Sequence, residues 1–180
     1  MSLPPYSAWR PLPPESIGDL VAPFENWCLC GGMSVDWLVG RPTRPHGDTD
    51  IGVFRSEVEA CLTAIGQDRI FLADPPGQLR QWDGEPVPPS VNDVWVLSRD
   101  REAWVLQVMI YTDDGDSVVF KRDATIRWPR LRHTVKVRGL RVLNPAITLL
   151  YKSSRPELAA KDKQDISVLI EACQRGWRPE

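Results

Sequence analysis

Two aspartates stand two residues apart where a polar turn enters an apolar run. They are Asp48 and Asp50, and the run Ile51 to Phe54 follows them. Successive side chains of a strand alternate between its faces, so both carboxylates would project from one face, about 7 Å apart. Carboxylates that close repel each other unless a cation or a proton lies between them. This spacing indicates a cation site.

A glycine pair precedes the aspartates. Gly31 and Gly32 follow the short apolar run Trp27 to Cys30, which predicts a buried strand that leads into a helix. Glycines at such a junction leave backbone N–H groups open to an anion such as a phosphate. A phosphate site beside two carboxylates indicates a metal–nucleotide site.

The whole stretch from Gly31 to Asp50 reads GGMSVDWLVGRPTRPHGDTD. Its glycine pair, helical spacer, Arg44, His46 and both aspartates resemble the nucleotidyltransferase superfamily. More closely, the stretch is similar to the small aminoglycoside and lincosamide adenylyltransferase-like branch. The resemblance implies transfer of a nucleoside monophosphate from ATP or another nucleoside triphosphate to a hydroxyl of a small molecule, with an aminoglycoside-like acceptor as one option.

The resemblance also assigns expected roles to residues. Asp48 and Asp50 would be catalytic and would hold two Mg²⁺ ions. A nucleotide would be bound by residues of the glycine turn, its helix, the following turn and a later helix, namely Gly31, Gly32, Ser34, Arg44, His46 and Lys152. Three of these have simpler interpretations: Ser34 as a helix N-cap, His46 as a turn histidine, and Lys152 as a solvated lysine at a helix end.

Position 107 departs from the superfamily pattern. The branch carries a third carboxylate at the start of an Asp-Val-Met-Leu segment, whereas this chain has Gln107-Val108-Met109-Ile110. An amide is a poor ligand for a hard divalent ion and cannot act as a general base at neutral pH. Replacement by another acid is an open alternative, from Glu102 or from the turn acids Asp113, Asp114 and Asp116.

Three functions therefore stay open. The first is an active metal-dependent nucleotidyltransferase, and the second is a catalytically impaired relative that binds a nucleotide or another ligand. The third is a toxin-like nucleotidyltransferase that modifies RNA, which would require basic residues beside Asp48 and Asp50. Candidates for that surface are Arg127, Arg130, Arg132, Lys136, Arg138 and Arg141.

Composition limits the partners. The 22 basic and 24 acidic residues nearly balance, which argues against non-specific nucleic-acid binding. No apolar run reaches the length of a membrane span, and the start of the chain lacks a signal-peptide pattern. Four cysteines without a spaced framework favour a reducing cytoplasm. A homodimer is compatible with 180 residues, since so short a domain makes a shallow cleft.

The element pattern predicts an α+β (α/β) protein, a nucleotidyltransferase-like mixed β-sheet flanked by helices. We expect an extended Pro-rich arm over 1–14, a core domain over 15–143 and a C-terminal helical pair packed on the core over 144–180. The pair would run from Pro145 to about Ser153 and from Leu158 to Arg175, with Ile166, Leu169, Ile170 and Cys173 as the buried stripe of the second helix.

Overall fold

A computed structural model describes residues 3–75 and 77–176. In chain order its strands are β1 (Cys28–Cys30), β2 (Asp50–Phe54), β3 (Ile70–Ala73), β4 (Leu79–Gln81), β5 (Asp93–Leu97), β6 (Trp104–Tyr111), β7 (Asp113–Asp114), β8 (Ser117–Val119), β9 (Arg127–Pro129), β10 (Thr134–Val137) and β11 (Leu140–Leu143). The helices are α1 (Ile17–Val21), α2 (Gly31–Val39), α3 (Val58–Ile65), α4 (Pro145–Ser153) and α5 (Ala160–Gln174).

Eight of these strands form one mixed sheet in the order β10-β11-β1-β2-β6-β5-β3-β4. The predicted α+β architecture is therefore confirmed, with β7, β8 and β9 as a separate small sheet. Strand β2 lies near the centre, antiparallel to β1 and parallel to β6. Its first residue, Asp50, pairs with Cys30 on one side and with Gln107 on the other.

Helix α2 begins immediately after β1. Gly31 has φ +67°, a left-handed conformation that glycine adopts without strain, and this allows the abrupt change from strand to helix. Gly40 follows the last residue of the helix and ends it in the left-handed conformation, at φ 76°. The expectation that Ser34 caps the helix is wrong, because the helix starts three residues earlier and the Ser34 hydroxyl donates to the Gly31 carbonyl at 2.7 Å.

The inward face of α5 differs from the expected stripe. Asp162, Asp165 and Leu169 are buried, whereas Ile170 and Cys173 are exposed and Ile166 is half-buried. The reason is that basic residues from other elements neutralise the two aspartates, so the first half of the helix packs through ion pairs.

Three local sequence patterns predict features that the structure corrects. The turn residues from Thr112 to Ser117 predict a hairpin between β6 and β8, but the hairpin joins β7 to β8. Ser56 and Glu59 have the spacing of a capping box, which does not form because the Ser56 hydroxyl donates to Asp113 and Glu59 accepts from the Val87 N–H. The prolines and glycines from Asp74 to Ser90 predict a loop, but the segment contains the short strand β4.

The described part of the N-terminal arm lies against β6. The Arg10 N–H donates to the Trp104 carbonyl at 2.9 Å, and the Leu12 N–H donates to Val105 at 3.0 Å. Residues 1–2, 76 and 177–180, which belong to the expected arm, loop and C-terminal segment, lie outside the described residues. The boundaries at 14 and 143 stay a proposal. Within the described residues, no helix is long and apolar enough to cross a membrane.

Candidate active site

One cleft of about 250 Å³ collects most of the predicted site residues. Asp50, the first residue of β2, and Asp48, in the turn just before it, line the cleft together with Gly31, Gly32 and Gln107. The cleft thus joins the end of β1, the first turn of α2 and the start of β2. These three elements are brought together by the pairing of Cys30 with Asp50.

Gly31 leaves no room for a side chain. A methyl group placed on its Cα would lie 1.9 Å from the Oδ2 atom of Asp50. The Asp50 carboxylate therefore packs directly against the backbone at the start of α2. The positive end of the helix dipole and the N–H groups of its first turn face this region.

The electrostatics of Asp50 are unusual for an aspartate. Burial raises the pKa of Asp50 to about 7, and the Asp48 carboxylate acts in the same direction, while Lys152 and Lys161 lower it. The pair is therefore a site where a bound cation would relieve repulsion.

Gln107 occupies the position that the sequence predicted for the third carboxylate. It pairs with Asp50 across the parallel strands β2 and β6, and the Gln107 N–H donates to the Thr49 carbonyl at 2.8 Å. Paired residues of adjacent strands point to the same face, so its amide lies beside the Asp50 carboxylate. In the described part of the chain, no hydrogen bond joins that amide to Asp48 or Asp50.

Cationic side chains also line the cleft. They come from the segment after β8, from α4, from the connection between α4 and α5 and from the start of α5, namely Lys121, Arg122, Lys152, Arg155 and Lys161, with Arg44 from the turn before Asp48. Such a set complements the negative charge of a triphosphate.

Two of these cations are already paired. Arg44 makes two hydrogen bonds of 2.8 Å to the buried Asp165 carboxylate. Lys152 lies 2.7 Å from Asp165 and 3.2 Å from Asp162. Both side chains border the cleft, but in the structure their charged groups hold α5 in place. Their predicted contact with a nucleotide stays a prediction.

Two predicted residues lie outside the cleft. Ser34 is fully buried and bonded to Gly31, as described above. His46 lies behind Gly32, with its Nε2 atom 2.7 Å from Asp36 and its Nδ1 atom buried without a partner. Neither side chain lines the cleft, and the contact of Ser34 and His46 with a nucleotide stays a prediction.

The donor set bears on the expected Mg²⁺ ions. Within the described residues, no group of three or more His, Cys, Asp or Glu side chains is arranged to hold a metal ion. Two carboxylates can supply part of the ligand set of Mg²⁺. At nucleotide sites this ion is often held by one or two carboxylates, with phosphate oxygens and water as the other ligands. Asp48 and Asp50 therefore suit an ion that arrives with a nucleotide.

The basic residues that the RNA-modifying alternative requires lie elsewhere. Among the described residues, none of the six between Arg127 and Arg141 lines the cleft of Asp48 and Asp50. Arg127 of β9 pairs with Asp114, and Arg130, in the turn after β9, pairs with Asp113.

Comparison with known proteins agrees with this architecture. The sequence model of a family described as aminoglycoside-2''-adenylyltransferase matches residues 21–73, which include the glycine pair and both aspartates. The fold matches the crystal structure of the lincosamide antibiotic adenylyltransferase LnuA with lincomycin bound, at a TM-score of 0.59. The chain has a nucleotidyltransferase fold. The resemblance to the aminoglycoside and lincosamide adenylyltransferase-like branch is thereby confirmed.

The nucleotidyltransferase fold is shared over nearly the whole chain. The match covers 89% of this chain and 98% of LnuA, at 16% sequence identity, so the likeness concerns the fold. No curated protein matches the sequence.

Sequence analysis assigned no role to Lys121, which lines the cleft, or to Asp93, which lies on a neighbouring strand. Asp93 opens the alternating segment Asp-Val-Trp-Val-Leu, which pairs antiparallel with β6. Asp93 pairs with Met109 and Trp95 with Gln107, so Asp93 lies on the same face of the sheet as Gln107.

Proposed function

We propose that this chain transfers a nucleoside monophosphate from ATP or another nucleoside triphosphate to a hydroxyl of a small molecule. The observation that carries the proposal is one cleft lined both by Asp48, Asp50 and the Gly31 turn and by several lysine and arginine side chains. Carboxylates alone indicate a cation site, and basic side chains alone indicate an anion site. A cleft that contains both suits a metal–triphosphate complex.

Each part of the cleft has a proposed role. Asp48 and Asp50 hold Mg²⁺, which when bound neutralises charge on the transferred phosphoryl group and lowers the pKa of the attacking hydroxyl. The Gly31 and Gly32 amides bind phosphate oxygens, and Lys121 and Lys161 neutralise the triphosphate. Arg44 and Lys152 orient α5, which carries Lys161 into the cleft.

The acceptor is proposed as a small hydroxylated molecule. The matched family is described by an aminoglycoside activity and the matched structure by a lincosamide antibiotic, so an aminoglycoside-like acceptor is a reasonable first candidate. Among the described residues, none of the six basic side chains from Arg127 to Arg141 lines the cleft, which argues against RNA as the acceptor.

The buried thiols of Cys28, Cys30 and Cys61 suit the reducing cytoplasm that we propose as the protein's location. A homodimer stays an untested expectation.

A catalytically impaired homologue is the alternative, and one observation favours it. Gln107 pairs in register with Asp50, at the position where the branch supplies its third carboxylate. An amide there lowers the negative charge available to a second ion and removes a proton acceptor. In this alternative the cleft binds the nucleotide without turning it over.

The test is titration calorimetry of ATP with and without Mg²⁺. In the double variant Asp48→Asn with Asp50→Asn, we expect the Mg²⁺-dependent part of ATP binding to fall by at least about tenfold, because the ion loses both charged ligands. The variant should keep its fold by circular dichroism, since asparagine preserves the shape of both side chains.

The matched control is Asp114→Asn with Asp116→Asn. Asp114 and Asp116 are exposed and neither lines the cleft, so neither replaces the third carboxylate there, and removing their two charges should not change ATP binding. Mg²⁺-dependent binding that survives unchanged in the Asp48 and Asp50 variant would refute the proposed site.

A further inference from the structure

A second cavity adjoins the cleft. It has a volume of about 370 Å³, and its walls include Tyr6, Asp93 and Trp95. Gln107 and Lys121 line both the second cavity and the cleft of Asp48 and Asp50. A ligand in the second cavity would therefore lie beside a nucleotide in the cleft.

The sheet register places the two cavities on one face. Gln107 pairs with Asp50 on one side and with Trp95 on the other, and Met109 pairs with Asp93. Paired residues, and residues two apart on a strand, project to the same face. Asp50, Gln107, Trp95 and Asp93 thus form a continuous surface across β2, β6 and β5.

Asp93 has no neutralising contact on this surface. Its side chain is half-buried, and within the described residues it makes no hydrogen bond and no ion pair of 4 Å or less. Burial raises the pKa of Asp93, and the more distant Lys121 partly offsets this effect. An unpaired, partly desolvated carboxylate gains most from a cationic ligand that enters the cavity.

Aromatic side chains form the other part of the wall. Trp95 and Tyr6 pack edge to face with ring centroids 5.7 Å apart. The Leu79 N–H donates to the Tyr6 hydroxyl at 3.2 Å, which fixes the N-terminal arm against β4. Rings of this kind bind the apolar faces of sugar and cyclitol rings and also attract cations.

We propose that the second cavity is the acceptor subsite and that Asp93 binds a protonated amine of a hydroxylated ring compound. Trp95 and Tyr6 pack against the ring, and Gln107 lies where the ring's hydroxyl passes towards the cleft. Asp93 contacts only the amine and takes no part in the transfer. The term acceptor rests on the proposed function, whereas the binding of an amine-bearing ring at Asp93 does not.

The experiment measures binding of kanamycin without nucleotide or metal, by calorimetry and by the amide and indole NMR signals of Trp95. We expect kanamycin to bind the wild type and fully N-acetylated kanamycin to bind at least about tenfold more weakly, because acetylation removes the charge that Asp93 attracts. Asp93→Asn should weaken kanamycin binding by a similar factor and should abolish the preference for the free amine.

Two further variants sharpen the result. Lys121→Gln removes the cation that competes for Asp93 and should tighten kanamycin binding. Asp116→Asn removes one charge from an exposed turn and should leave kanamycin binding unchanged. Equal binding of kanamycin to wild type and Asp93→Asn would overturn the proposal, as would shifts of NMR signals that exclude Trp95.

The outcome is separable from that of the proposed function. Kanamycin binding is measured without nucleotide or metal, and neither Asp48 nor Asp50 lines the second cavity, so the effect of Asp93→Asn is measured independently of ATP binding. Kanamycin binding that depends on Asp93, combined with no ATP binding, would support this subsite and refute the nucleotidyl transfer. ATP binding, combined with kanamycin binding that Asp93→Asn does not change, would support the nucleotide site and overturn this subsite.

Discussion

Gly31 and Asp50 share a space that admits no additional side chain. The left-handed φ of +67° at Gly31 and the 1.9 Å approach of a hypothetical methyl group to Asp50 are independent constraints. The first costs about 1–2 kcal/mol for an alanine. The second would displace the Asp50 carboxylate from the start of α2. The glycine therefore serves both the backbone turn and the position of the acid.

We accordingly expect Gly31→Ala to lower the free energy of unfolding by at least about 2 kcal/mol. It should also weaken Mg²⁺-dependent ATP binding, because Asp50 must move. Chemical denaturation and calorimetry measure the two effects. Gly47→Ala is the matched control in the neighbouring turn, where a methyl group meets no atom within 4 Å. Its effect should stay within about 0.5 kcal/mol. Equal effects of the two substitutions would contradict this account of Gly31.

The local motif explains why much of the cleft could be predicted from sequence. Asp48, Asp50 and the glycine pair lie within 20 residues of one another, so their order and spacing carry the signal. The position of Asp93, by contrast, could not be predicted from a local motif. Its position relative to Asp50 depends on the register of the three strands β2, β6 and β5, which local periodicity does not specify. Ser34 shows a third case, because its hydroxyl suits an N-cap but the glycine turn starts the helix before it.

Among the elements, α5 depends on a buried ion network. The Asp165 side chain is fully buried and contacts both Arg44 and Lys152, which are themselves mostly buried. Burial alone would raise the pKa of Asp165, but hydrogen bonds from Arg44 and Lys152 outweigh it, so the pKa is lowered. The network connects α5 to α4 and to the turn before Asp48, and it thereby positions one wall of the cleft.

Asp165→Asn should lower the free energy of unfolding by about 3 kcal/mol at pH 7, because two cations lose their buried partner. The lowered pKa means that this stabilisation is present above the ordinary aspartate pKa and is lost as the pH falls through the lowered value. Urea denaturation at several pH values should therefore show the wild type and the variant converging in acid.

Glu171→Gln on the same helix provides the control. Its partner Arg175 and Glu171 itself are largely exposed, so loss of that pair should change stability by less than about 1 kcal/mol. An Asp165→Asn effect as small as that of Glu171→Gln, or one that does not depend on pH, would contradict the role of the network.

The sequence predicted helix α4 correctly but did not predict the buried face of α5. Pro145, a residue favoured at the first helical position, was sufficient to predict α4, which runs from Pro145 to Ser153 as expected. The inward face of α5 was not predictable from apolar spacing, because its first buried residues are acids. Their partners, Arg44 and Lys152, come from elsewhere in the chain, and an apolar pattern does not reveal them.

At the scale of the whole molecule, the sheet order brings distant segments to one surface. The end of β1, the start of β2 and the middle of β6 meet at the cleft, and β5 extends that surface to the second cavity. The N-terminal arm, expected only as an extended segment, contributes Tyr6 to this surface. Its position was not predictable, because hydrogen bonds between its backbone and β6 determine it.

The central claim is that this molecule has a metal–nucleotide cleft whose third acidic position is an amide. The most direct measurement is calorimetric titration of ATP, with and without Mg²⁺, on the wild type and on Gln107→Asp. We expect ATP to bind the wild type, and the aspartate to increase the Mg²⁺ dependence of binding, because it adds a charged ligand in register with Asp50. Absence of ATP binding in both proteins would contradict the claim.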